Sequence, residues 1–203
     1  MESAWFDHIQ TLDTDVFALA RLRRETVLLD RAGLEALQTA DGQARNLDRI
    51  RGRGGQARAQ AEGLAAGAAI ARWANVPTTE ELGAILGASP RYLSVGHAGL
   101  DARGLGAMAE LAGSRRGVFL HDTIPLDWPD TQNHGGETRF RDRLQWVARA
   151  ATHIFAPLEP TAQDIKQHLF AFGWAGNVVV AHPGVEVAAP TEVPADLPME
   201  RPY

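Results

Sequence analysis

The sequence predicts an α/β domain: a Rossmann-like parallel sheet with helices on both faces. Three observations predict it. From residue 91 onward, four short apolar runs alternate with three helical stretches of about ten to fifteen residues, the rhythm of right-handed βαβ crossovers. The runs are apolar almost throughout, as strands covered on both faces are. Two of the three helical stretches stop at a glycine, Gly113 and Gly173.

Taken in order, residues 1–12 read as a short amphipathic helix with Trp5, Ile9 and Leu12 on one side. VFALA (16–20) and TVLLD (26–30) read as short strands, and DRAGLEALQ (30–38) as a helix behind them. Three glycines around Arg53 break the stretch 49–58, after which AEGLAAGAAIARW (61–73) regains helical periodicity despite two glycines. Thr78, followed three residues later by Glu81, has the form of a capping box opening a short helix after Pro77. YLSVG (92–96) is then a strand, 100–113 a helix and GVFLH (117–121) a strand. The helix over 137–151 buries Phe140, Leu144 and Val147 and turns its arginines outward. HIFAP (153–157), a helix over 160–173 and the strand NVVVAHPG (177–184) complete the pattern. The tail, 185–203, carries four prolines in its last fourteen residues and reads as a linker.

Composition bounds the function. At 203 residues, 45% hydrophobic and 22% charged, the chain suits one soluble domain with a single good core. A net charge of −5 argues against nucleic acid as the partner, and the arginines around 45–58 read as a solvated loop. The absence of cysteine excludes disulfides, thiolate metal sites and a cysteine nucleophile. No apolar run approaches the roughly 18 residues of a membrane span, and MESAWFDHIQ lacks the regions of a signal peptide, so a cytoplasmic location is expected.

In an open parallel sheet, ligands bind at the carboxyl ends of the strands. The residues there are Gly96-His97, His121-Asp122, Pro157-Leu158-Glu159 and His182-Pro183-Gly184. Each has a structural alternative. His121 can be a core-edge ring satisfied by a backbone carbonyl, with Asp122 capping the next turn. His97 and Gly99 can simply form a tight turn, and His182-Pro183-Gly184 an exit into the tail. No HExxH, GxSxG or phosphate-binding loop is present, and no G-x-G-x-x-G follows a strand, so a hydrolytic triad or a self-contained nucleotide site is poorly supported.

The ordered set YLSVGHAGLD (92–101), GVFLHDTIPLDWPD (117–130), HIFAPLEPTAQDIKQHL (153–169) and VVVAHPGVE (178–186) resembles the N-terminal half of group 1 (family 4) glycosyltransferases, with weaker agreement over 1–40. The resemblance implies one half of a GT-B architecture, in which two Rossmann-like domains face a cleft. Residues 1–40 would be a remnant of the N-terminal part of the domain, 41–90 a helical or irregular insertion, 91–184 the acceptor-side core, and 185–203 a linker toward a donor domain. It further implies a retaining transferase, without metal or other cofactor, that takes a sugar from a nucleotide-sugar donor to a saccharide or glycolipid acceptor. Peripheral contact with the inner face of a membrane is part of that expectation.

By the same resemblance, His121 and Asp122 would be catalytic, His121 meeting sugar hydroxyls and Asp122 orienting it or bracing the loop. Gly96, His97, Gly99 and Pro125 would bind or shape the acceptor side. Leu158-Glu159-Pro160-Thr161 departs from the Asn-Ser that the family commonly carries there. Both ends resemble cut positions, so an inactive fragment is expected. A non-catalytic glycan- or protein-binding module and half of a sugar-nucleotide epimerase are the competing readings, and the sequence leaves oligomeric state, donor and linkage open.

Overall fold

The computed structural model describes residues 11–38, 49–50, 55–87, 89–96, 100, 102–111, 113 and 115–182. The expected helix over 1–12, the centre of the break at 51–54 and the tail lie wholly or largely outside them. The elements are β1 (Ala18–Arg21), β2 (Thr26–Leu29), α1 (Arg31–Glu35), α2 (Gln56–Gly67), β3 (Ala71–Trp73), α3 (Thr79–Leu86), β4 (Tyr92–Ser94), α4 (Ala102–Leu111), β5 (Arg116–Phe119), α5 (Ile124–Asp127), α6 (Gly136–Ala150), β6 (His153–Ala156), α7 (Glu159–Phe170) and β7 (Val178–Val180).

The strands form two sheets: an antiparallel sheet ordered β1-β2-β3 and a parallel sheet ordered β4-β5-β6-β7. In the first, β2 is central and buried along its whole length. Alternation sends Val27 and Leu29 to one core, with Leu34 and Leu37 and with Ala61 and Ala65 of α2. Leu19 and Trp73 reach a second core, Leu82, Met108 and Leu111. β3 falls within the stretch read as a helix over 61–73. The helix stops instead at Gly67, and the Ile70 N–H donates to Leu28 O at 2.9 Å, which starts the pairing of β3 with β2. A free edge of β2 offers three residues a ladder, and two glycines weaken the competing helix. The stretches 1–40 and 41–90 therefore meet in one sheet.

The capping box forms as read: the Glu81 N–H donates to Thr78 Oγ1 and the Thr78 N–H to Glu81 Oε2. Beyond α3 the chain enters the parallel sheet. Val118, Leu120, Ile154 and Ala156 share one core with Leu105 of α4, Phe140, Leu144 and Val147 of α6, and Ala162, Ile165 and Leu169 of α7. Each large side chain buried there contributes about 1.5–3 kcal/mol. The α/β class is as expected, and the three long connecting helices, α4, α6 and α7, all pack into this one core. Strands in sequential order, joined by right-handed crossovers, must carry all their connecting helices on the same face. On the other face the edge-strand residues Leu93 and Val179 are 41% and 44% exposed, while Phe119 of the inner strand β5 is fully buried.

One helix links the halves. α4 gives Leu105 to the parallel-sheet core and Met108 and Leu111 to the core beneath the antiparallel sheet. Arg116, at the start of β5, donates from Nη1 to Ala109 O and from Nε to Ala150 O, satisfying carbonyls at the ends of α4 and α6.

Gly33 is buried in α1 where an added Cβ would stand 2.7 Å from the Ala68 carbonyl oxygen and 3.1 Å from Leu29 Cδ2. Gly33→Ala is therefore expected to destabilise the fold by roughly 1–3 kcal/mol, against the helix-propensity trend. Gly63→Ala, in α2 with no neighbour within 4 Å, is expected to stabilise it by about 0.5–1 kcal/mol. Urea unfolding of both variants checks the pair of opposite signs.

Candidate functional site at the carboxyl rim of the parallel sheet

Because β4 to β7 run the same way, their carboxyl ends bring Val95-Gly96, His121-Asp122, Pro157-Leu158 and Ala181-His182 to one rim. His97, Gly99, Pro183 and Gly184 lie outside the described residues. Of the rest, the structure brings His121 onto the end of β4. Its Nε2 lies 2.8 Å from Val95 O, next to the buried Gly96, and its ring leans on Phe119 with centroids 4.9 Å apart. A carbonyl oxygen only accepts, so Nε2 donates its proton to Val95 O, and Nδ1 is buried as well. Ser94 Oγ donates to Gly96 O at 3.1 Å, fixing the same strand end from its own side.

Asp122 turns into the loop: its Oδ1 accepts from the Ile124 N–H at 3.2 Å and opens α5. Of the two roles expected for it, the geometry supplies the bracing one. Pro125 occupies the first turn of α5, where the missing N–H leaves no bond unmade. His182 is exposed at the end of β7, and Glu159 stands exposed in the first turn of α7.

A cluster that the sequence did not announce tightens this loop. Thr123, 3% exposed, donates from Oγ1 to Asp127 Oδ2 at 2.5 Å. The other oxygen, Oδ1, lies 2.7 Å from Nε2 of His168 on α7, forty-one residues away. The i, i+4 spacing of Thr123 and Asp127 was legible; the third member was not, because nothing local couples it to them. Burial pushes the Asp127 carboxyl pKa upward, but the Thr123 hydrogen bond and the hydrogen bond and charge of His168 outweigh it, and the group titrates below its usual range.

Two cavities lie away from the rim, on the antiparallel sheet. One of about 410 Å³ is lined by Asp15, Asp30, Arg31 and Glu35 among others, and one of about 310 Å³ by Arg24, Glu25, Arg72 and Trp73. Of their cations, Arg31 holds Leu12 O and Thr14 O, and Arg72 holds Glu25 through two bonds. Among the described residues no helix is long and apolar enough to cross a membrane. Comparison with protein-family models, curated proteins and solved structures returned no match to this chain.

A depressed folded-state pKa contributes stability that is complete above the unfolded value and lost as pH falls through the folded one. Wild-type stability is therefore expected to decline below about pH 4, and Asp127→Asn to be destabilised at pH 7 while showing a shallower acid decline. Thermal melts of the two proteins between neutral pH and the acid limb test this.

Proposed function

We propose that this chain is the acceptor-side domain of a retaining, GT-B-type glycosyltransferase: it holds a saccharide acceptor at the rim of its parallel sheet, and the nucleotide-sugar donor is held by a second domain. The observation that supports this reading is the junction at which His121 ties the end of β5 to Val95-Gly96 just past β4, with the proline-stiffened loop 122–131 leaving directly from it. Two adjacent strand ends and a braced loop lie at the carboxyl edge of the sheet, the side on which open α/β sheets hold ligands.

Within this reading His121 is a positioning residue in the form described, since its Nε2–H is committed to Val95 O and its Nδ1 is buried. It shapes the acceptor wall through Gly96, and Asp122 and Pro125 shape the facing loop. Direct contact of His121 with the transferred sugar requires the ring to exchange Val95 O for a hydroxyl. A second reading, a saccharide-binding module without transfer, draws on the same observation, because both His121 and Asp122 have bracing work.

The 203-residue chain is expected to bind neutral oligosaccharides saturably by calorimetry and to release no nucleotide from a nucleotide-sugar. Absence of any saccharide binding would refute the proposal. His121→Gln, which can still present an N–H to Val95 O, is expected to retain binding, whereas His121→Ala loses roughly 1–3 kcal/mol of stability and binds more weakly. Equal loss of binding in both variants, with His121→Gln as stable as wild type, would instead assign His121 to direct sugar contact.

A further inference from the structure

The loop that leaves the rim carries a large exposed aromatic on a backbone with no slack. Trp128 is 66% exposed. Its N–H donates to Ile124 O at 2.8 Å, and its carbonyl accepts from both the N–H and Oγ1 of Thr131, at 3.1 and 2.7 Å. Pro125 and Pro129 fix the backbone on either side, and the neighbouring Asp127 is tied to Thr123 and to His168 of α7. Ile124, one turn earlier, is 49% exposed. Leaving an indole in water forgoes the stabilisation that burial gives, and fixing its backbone removes the entropy cost that binding would otherwise carry. Tryptophan is among the residue types enriched at the anchor points of binding surfaces.

Charge selects the partner. Residues 117–138 contain no lysine or arginine but include Asp122, Asp127, Asp130 and Glu137, of which Asp127 is paired with His168 and Glu137 with Arg141, while Arg139 reaches back to His134 O. Anionic lipid surfaces and nucleic acids need the opposite arrangement, basic residues around the aromatic. Carboxylates accept hydrogen bonds from hydroxyls, and Asp130, exposed two residues after Trp128, is placed to do so. A flat apolar face beside acceptors matches a pyranose ring, which has a C–H face and a periphery of hydroxyl donors.

We infer that Trp128 is the stacking platform for an uncharged pyranose ring of the bound saccharide, with Asp130 accepting from its hydroxyls. This rests on the proposed saccharide function and adds the substrate class: neutral rather than anionic sugars, reached without a lipid surface.

The test follows the indole N–H signals of the ¹⁵N-tryptophan-labelled full chain, with the Trp128 signal assigned from Trp128→Phe. Probes are maltose, cellobiose and lactose as neutral sugars, glucuronic acid as an anionic one, and phosphatidylglycerol–phosphatidylcholine vesicles as a lipid surface. The Trp128 signal is expected to move saturably with at least one neutral disaccharide and to be unaffected by glucuronic acid or vesicles. Trp128→Ala is expected to lose roughly tenfold or more in affinity with an unchanged melting curve, and Trp128→Phe to keep most of it. A Trp128 signal moved only by vesicles or by glucuronic acid, or by none of the probes, would overturn the inference, as would full affinity in Trp128→Ala. Saccharide binding that bypasses Trp128 would sink the platform and leave the acceptor-domain proposal standing. Binding on Trp128 in a protein that takes no part in transfer would do the reverse.

Discussion

The sequential order of four parallel strands is the constraint on which the rest depends. It forces α4, α6 and α7 onto one face, where their apolar sides close over Val118, Ile154 and their neighbours. It also gathers the polar strand ends at a single rim, because every crossover returns the chain to the same starting edge. Once that geometry is set, the loop after β5 must leave between the ends of β4 and β6, and its chemistry becomes the chemistry of the rim.

The rim is built for rigidity before anything else. His121 spends its donor on Val95 O, Asp122 accepts from the Ile124 N–H, and Thr123, Asp127 and His168 fasten the loop to the next crossover helix. The residues that first drew attention as reactive thus hold the frame, and the surface they hold out to solvent is Ile124, Trp128 and Asp130. Such a division of labour suits a domain that binds and orients a ligand, since a positioned acceptor gains reactivity from geometry alone.

Much of the parallel half was legible because its signals are local. Phe140, Leu144 and Val147 recur at helical spacing and are buried as read; Thr78 and Glu81 form their box; Gly173, with φ of 79°, closes the turn just past α7. What was not legible depends on partners distant in sequence. β3 is a strand because β2 had a free edge, against the helical pattern of 61–73. That α4, α6 and α7 share one face follows from strand order, which periodicity does not report. In the site, the placement of His121 on the rim and both bracing alternatives could be read from residue type and position, but not which alternative the fold adopts. His168 was invisible because forty-one residues separate it from Asp127.

Hydrogen–deuterium exchange of the full chain, with and without a saturating neutral oligosaccharide, tests most directly whether the rim is where this protein meets its ligand. Protection confined to 94–96 and 121–131, with the antiparallel sheet unchanged, is the expected result. Protection confined to 15–35 and 71–74, around the two cavities of the antiparallel sheet, would place the site elsewhere and contradict it.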